Sequence, residues 1–587
     1  MKFKQSNDHL MLKTKLLYSD NHKLMTLLLQ RYLDMPRSTT AETALAKYVF
    51  DDAEAQALTI LSVCVVSGKR SPVASLLGMI SSALLKKNLD SGKVMATYHC
   101  VAEFMYSAPE VFIRTTAFFG GEKIQSIFFD TAEAEKKLFQ LPSMDKPTKS
   151  HKALGRFKWE ITNTEAIDKL NRIPMVVLDF DEQFVPPEGS EDRIKYDIRS
   201  KLRPYLASEN TKLFFNWNSD YRGRMYSSGY HFNTMGDEYE KNIMAFHAPH
   251  IYTDRNDYQE AEYQIQLAIA VAFGKDKITD ELKMEWFAKE DESDLANLDW
   301  TKAKEPTYAR AQLESLRLLR TTDRTNIPIE LDASCSQRQI VSVLTGSLKT
   351  AMTCNVITDN SHIQDAYGLV AKEMSKLSGL KFNRAQIKQS DMISGYGAGR
   401  EKVTETLKED LKEYYFDGVA DIFYKASDIV DPMASRIKET FQSLWDDTRT
   451  HWEWTLPDGF KVQMYTEEAR QITVNPFGCG EINVIAHMIM PTSKNTALGV
   501  NIIHSVDAYI CRQMVVRCPF DIITIHDGYR CLPHNAPAMK RIYNEILAEI
   551  TDSTLLEDII EEITGIRVEL KKEFQGKHVM NSEYSLS

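Results

Sequence analysis

The 587 residues contain eight cysteines but no Cys-x-x-Cys pair, and none has a histidine beside it at zinc-finger spacing. A disulfide framework and a structural zinc site are therefore not indicated, and a reducing compartment fits best. Long apolar runs are also missing. The longest, Ala57 to Val66, is far short of the roughly 20 residues that span a bilayer and reads as a buried helix. Met1 to Leu17 mixes Lys2, Lys4, Asp8, Lys13 and Lys15 with too few consecutive apolar residues for a secretory segment. The chain is therefore expected to stay inside the cell, with no membrane partner, and it shows no Arg-rich transit segment. Basic charge is not in excess: 71 Lys and Arg against 82 Asp and Glu give a net charge of -11. That argues against nonspecific coating of nucleic acid, although a cleft focuses field lines whatever the total charge. No internal repeat or low-complexity tract is evident, and 43% hydrophobic with 26% charged residues describes an ordinary folded chain.

The length suggests about three to five subdomains. Up to residue 155, apolar residues spaced by three and four (Leu76, Leu77, Ile80, Leu84, Leu85) predict packed amphipathic helices. The polar stretch Leu141 to Ser150, with two prolines, marks a boundary. A further helix is predicted from near Trp159, with Thr162 and Thr164 as candidate N-caps, and another from Asp192 to Leu206. Lys212 to Asn216 resembles a short strand, 275 to 325 reads as a charged, helical, solvated insertion, 360 to 450 as helical, and 455 to 475 and 520 to 533 as strands. The fold class is α+β, mainly helical with a small antiparallel sheet.

Two segments place a carboxylate at a strand end. In Asn326-Ile-Pro-Ile-Glu-Leu-Asp332-Ala-Ser-Cys-Ser336, alternating apolar residues lead into Asp332, and small polar residues then open a helix. In Phe520-Asp-Ile-Ile-Thr-Ile-His-Asp527-Gly528, a strand ends in Asp-Gly, with Tyr529 to Leu532 as the returning strand. Either acid alone reads more readily as a turn residue. Together, on neighbouring strands, they suit two Mg²⁺ ions and nucleotidyl transfer. Between them Arg384, Lys388, Met392 and Tyr396 recur every four residues and form one stripe on a helix. Cations there can hold triphosphate oxygens, and a solvated amphipathic helix is the plainer alternative. Gly395, Gly397 and Gly399 are explained by a helix end as well as by a phosphate loop.

These residues resemble a known family. Asp332 to Gln339, the Arg384 to Gly397 stripe and His526-Asp527-Gly528 are similar to motifs A, B and C of the single-subunit DNA-directed RNA polymerases of bacteriophages and mitochondria. Asp220-Tyr-Arg222-Gly-Arg224-Met-Tyr226, Gln364 to Lys372, Pro457-Asp-Gly-Phe460 and Asn501-Ile-Ile-His504-Ser-Val-Asp507 extend the resemblance, in order, over about 156 to 533.

The resemblance implies a right-hand fold. Its parts would be a reduced helical N-terminal domain (1–155), a thumb (156–212), fingers (351–500), and a palm in two parts (213–350, with an insertion at about 251–325, and 501–587). It implies that Asp332 and Asp527 bind two Mg²⁺ ions, that Lys388 and Arg384 bind the triphosphate, and that Tyr396, with His504 nearby, selects ribose. Arg222, Arg224 and Tyr226 would contact template and hybrid, and His526 would support Asp527. Partners would be a DNA template, single-stranded or opened, NTPs, nascent RNA and an accessory protein that opens promoters. The setting expected is viral transcription in the cytoplasm of a bacterial host.

The sequence departs from the family at Gly528, where serine is usual, and in a short segment between Phe460 and Asn501, where the family carries its promoter-specificity hairpin. It also departs in its small N-terminal region and in an end, Tyr584 to Ser587, that lacks the aromatic ending common among phage members. Two other readings stay open. A family A DNA polymerase usually follows its metal Asp with Ser-Gln-Ile-Glu, against Ala-Ser-Cys-Ser here. An inactive template-loading subunit would have no need of Asp332, Lys388, Tyr396 and Asp527.

Overall fold

The computed structural model describes residues 19–35, 40–67, 71–85, 90–108, 112–119, 122–129, 153–155, 157–178, 212–228, 233–291, 299–358, 360–475, 481–493 and 495–587. The 141–150 boundary, the Asp192 to Leu206 helix and most of the 156–212 thumb expected from the sequence lie outside them. The chain adopts the mainly helical α+β class expected, with buried residues gathered in three clusters.

The largest cluster surrounds a three-stranded antiparallel sheet, with Gly528–Cys531 central between Ile329–Asp332 and Ile523–Ile525. Behind the sheet runs the Ala497–Arg517 helix, whose Ile502, Val506 and Met514 are wholly buried. Apolar residues occupy several of its faces, as expected of a helix enclosed on most sides. Trp452 and Trp454 alternate with half-exposed residues along His451–Thr455 and close the same core.

The insertion expected at about 251–325, of which 275–325 reads as solvated, joins this core. Arg255–Ala272 buries Ala261, Ile265, Ala268 and Ile269, and Pro306–Thr322 buries Tyr308, Ala309, Ala311, Leu316 and Leu319. Alanines make up much of the first inward face, and Thr307, Gln312 and Ser315 are buried on the second, so both give a weak signal beside the Glu, Lys and Arg of the outer faces.

A second cluster holds the N-terminal helices, among them Ser19–Leu33, Ala53–Ser67 and Ser91–Ser107. These helices receive one face of the hairpin Glu467–Val474 and Ile482–Ile489: Ile472, Val474, Val484, Ala486 and Met488 are buried against them. The segment between Phe460 and Asn501 thus holds a paired ribbon eight residues long. The N-terminal region is not helical throughout, because Phe112–Phe119 and Glu122–Phe129 pair as a hairpin. Its sequence signal is Gly120-Gly121 between two aromatic-rich runs. The helix expected near Trp159 begins only at Glu165, after Thr164. The third cluster, Val370 to Ala426, packs the helices Ala366–Ser378, Arg400–Leu411 and Val419–Val430 around a small core of their own.

Candidate active site

Asp332 ends its strand directly opposite Gly528, the residue after Asp527. The backbone N–H of Ala333 donates to the Asp527 carbonyl at 3.1 Å, tying the two acid-bearing segments together. Ile525 pairs with Gly528, so the two-residue turn is His526-Asp527, and Gly528 already belongs to the returning strand. His526 takes a left-handed φ of +56°, a conformation costly for most side chains that often marks functional turns. Asp332 is exposed and Asp527 half-buried. The Asp332 carboxyl is raised above the ordinary carboxylate range by the protein mass around it, then by Asp527 and Glu330.

A cleft of about 420 Å³ opens on these acids and is also lined by Arg384, Lys388 and Tyr396. Their helix, Arg384–Gly395, starts on a capping box. Asn383 Oδ1 accepts from Gln386 N–H at 3.2 Å, and Gln386 Oε1 accepts from Asn383 N–H at 3.0 Å. Tyr396 caps its C-terminus, Gly397 turns the chain at φ +90°, and Gly399 caps the next helix. The glycine cluster is therefore a helix end. Arg384 Nε donates to Asp365 at 3.1 Å, and its guanidinium lies over the Tyr367 ring. Lys388 is exposed and has no ion-pair partner among the described residues.

His504, Arg222, Arg224 and Tyr226 stand on the flank of the cleft. The Tyr396 and His504 rings are 4.9 Å apart, and Arg222 Nη1 lies 2.8 Å from His504 Nδ1. Arginine is only a donor, so Nδ1 accepts and the ring proton sits on Nε2. Burial, then Arg224 and Arg222, pushes the His504 pKa down to about 2, which keeps the ring neutral. Asp220 Oδ1 accepts the backbone N–H groups of Arg222 and Arg224, each at 3.0 Å, around Gly223 at φ +89°. Arg224 pairs with Asp507 at 2.7 Å, and burial raises that acid to about 6. Tyr226 meets the His526 ring edge-on at 5.2 Å. Arg512 fixes the loop from behind, donating to Gly223 O at 3.0 Å and to Asp458 at 2.6 Å.

The cleft also contains charged residues that no sequence motif marks. Lys277 and Lys304 flank Asp276 at 3.4 and 3.5 Å, and Lys241 pairs with Glu330 at 2.8 Å. Glu330 in turn accepts from Arg530 at 2.9 Å across the sheet. Lys277 and Lys304 fall within the stretch read as a solvated insertion, and no motif singles them out.

Among the described residues no group of three or more His, Cys, Asp or Glu side chains is arranged around one metal position. Two carboxylates facing a cleft with an exposed lysine nevertheless suit Mg²⁺, which commonly takes one or two protein carboxylates and fills its other positions with water and phosphate oxygens. The donor set therefore fits a hard divalent ion bound together with a nucleotide.

A family profile described as DNA-dependent RNA polymerase matches residues 263–584. The mitochondrial DNA-directed RNA polymerase of Schizosaccharomyces pombe is 22% identical over 430 residues, covering 62% of this chain and 36% of that protein. A probable DNA-directed RNA polymerase of Gelasinospora is 22% identical over 465 residues, covering 65% and 52%. The chloroplastic/mitochondrial DNA-directed RNA polymerase 2 of Nicotiana sylvestris is 21% identical over 431 residues, covering 63% and 42%. The chain spans about half the length of these relatives or less. With more than half of its residues inside the family match, including both strand-end acids and the Lys388 helix, the chain belongs to the single-subunit, phage- and mitochondrial-type family of DNA-dependent RNA polymerases.

Proposed function

We propose that this chain synthesises RNA on a DNA template from ribonucleoside triphosphates. The observation that carries the reading is the meeting of Asp332 and Asp527 at one sheet edge, in a cleft that also receives Lys388, Arg384 and Tyr396. Asp332 and Asp527 would hold two Mg²⁺ ions, which when bound activate a 3′-hydroxyl and neutralise phosphate charge. The reaction is in-line attack of the RNA 3′-oxygen on the α-phosphate, with pyrophosphate leaving. Lys388 and Arg384 bind the triphosphate as cations, and Lys388 has no competing ion pair among the described residues. Tyr396, backed by the neutral His504, faces the sugar and favours ribose. Arg222, Arg224 and Tyr226 meet the template and hybrid from the flank they share with His504.

In this reading the sheet around Gly528 belongs to a palm built from 213–350 and 501–587. The fingers are 351–500 and the thumb 156–212. The setting proposed is viral transcription in a bacterial cytoplasm, with an accessory protein opening duplex promoters, whereas several relatives carry organellar names.

The test is incubation with single-stranded DNA, four ribonucleotides and Mg²⁺, with a parallel reaction on linear duplex. RNA made far better on the single strand supports both the activity and the need for a helper. Equal, promoter-specific initiation on bare duplex removes the helper. Preference for deoxyribonucleotides would replace the reading with a family A DNA polymerase. In Tyr396→Phe, the ribose preference should narrow about tenfold, the worth of one hydrogen bond.

A further inference from the structure

Two consecutive residues in the first turn of the helix that follows Asp332, Gln337 and Arg338, grip the helix that carries Lys388 and ends at Tyr396. Gln337 Nε2 donates to the Gly395 carbonyl at 3.2 Å, so closely that a Cβ at Gly395 would lie 2.7 Å from Gln337 Oε1. Arg338 Nη2 reaches both oxygens of Asp391, at 2.9 and 3.2 Å, and its Nε pairs with Asp431 at 3.3 Å. Asp431 also accepts from Thr350 Oγ1 at 2.7 Å and caps the Pro432–Ser443 helix. Arg338, Asp391 and Asp431 are 3%, 5% and 0% exposed.

One cation and two carboxylates in the interior are costly, because desolvation commonly outweighs their attraction and apolar residues of equal volume often stabilise as well or better. Stability alone does not account for such a cluster. Its position does, since the short segment from Asp332 to Arg338 carries a cleft acid at one end and the grip at the other. Gln337 and Asp391 line both the cleft and a second cavity of about 340 Å³, so the gripped helix has space to shift once released.

We propose that Arg338 is a positioning residue that, through Asp391, fixes the rotation of the Lys388 and Tyr396 helix relative to Asp332. The proposal rests on reading the cleft as the nucleotide site.

The test compares the wild-type chain with Arg338→Met/Asp391→Met/Asp431→Asn, in which the last substitution keeps a capping oxygen. The folded variant should retain a thermal midpoint near wild type, while amide exchange across 384–396 rises about tenfold or more and 400–411 is unchanged. In RNA extension its kcat should fall about tenfold or more, with a narrowed ribose preference, as a misplaced nucleotide helix demands. A folded variant with wild-type exchange at 384–396 overturns the proposal. If the triple variant does not fold, Asp391→Asn decides by the same exchange measurement: faster exchange supports the grip and wild-type protection overturns it. Absence of RNA synthesis by the wild-type chain counts against the polymerase reading alone, because the exchange measurement needs no activity.

Discussion

Asp332 and Gly528 face each other across the two strands that bring the acids together, and a Cβ at Gly528 would lie 3.2 Å from Asp332 Oδ1. At that distance the carboxylate must give by a few tenths of an ångström. Gly528→Ala should therefore leave the hairpin folded but raise the Mg²⁺ concentration for half-maximal RNA synthesis about two- to fivefold, up to about 1 kcal/mol of binding. A Mg²⁺ titration of initial rate checks this, and an unchanged midpoint would show that the contact does not constrain Asp332.

Lys388 is an exposed cleft cation without an ion-pair partner among the described residues, so removing it leaves no buried carboxylate stranded. Lys388→Met should keep wild-type thermal stability while kcat/KM for NTPs falls on the order of a hundredfold, as expected when a charge-stabilising group is lost. Steady-state extension kinetics test it. A loss of stability with kcat/KM intact would make the lysine a structural residue.

His504 predicts a pH dependence of stability whose sign is fixed. Burial and two arginines lower its pKa to about 2, below the ordinary value of about 6.5 in the unfolded chain. The folded form binds fewer protons, so this contribution is fully present above pH 6.5 and is lost as pH falls from there toward 2. The slope is at most about 1.4 kcal/mol per pH unit. His504→Gln should show a shallower fall in denaturation free energy between pH 6.5 and 5. Identical slopes in the two proteins would mean that the ring is free to protonate in the fold.

The parts of the site legible in the sequence were those written in local pattern. Alternation ending in an acid placed Asp332 and Asp527 at strand ends, and spacing by four gathered Arg384, Lys388 and Tyr396 on one helix. The turn itself was displaced by one residue, because Asp-Gly is a strong hairpin signal and the left-handed His526 is not. Lys277, Lys304 and the Arg338 grip were not legible. Asp276 neighbours Lys277 in a turn and meets Lys304 only in the fold, and Asp391 and Asp431 meet Arg338 only when distant helices pack, which no periodicity records. The inward faces of Arg255–Ala272 and Pro306–Thr322 were hidden for a related reason, since the buried alanines of the first and the buried Thr307, Gln312 and Ser315 of the second carry little hydrophobic contrast.

The most direct measurement is RNA synthesis by Asp527→Asn on single-stranded DNA with Mg²⁺, read beside template binding. The substitution preserves the size of the turn residue and removes the acid function of one of the two strand-end carboxyls that line the cleft. RNA synthesis should be abolished, falling by about a thousandfold or more, while template affinity stays within about twofold of wild type. Full synthesis by this variant would contradict the account at its centre.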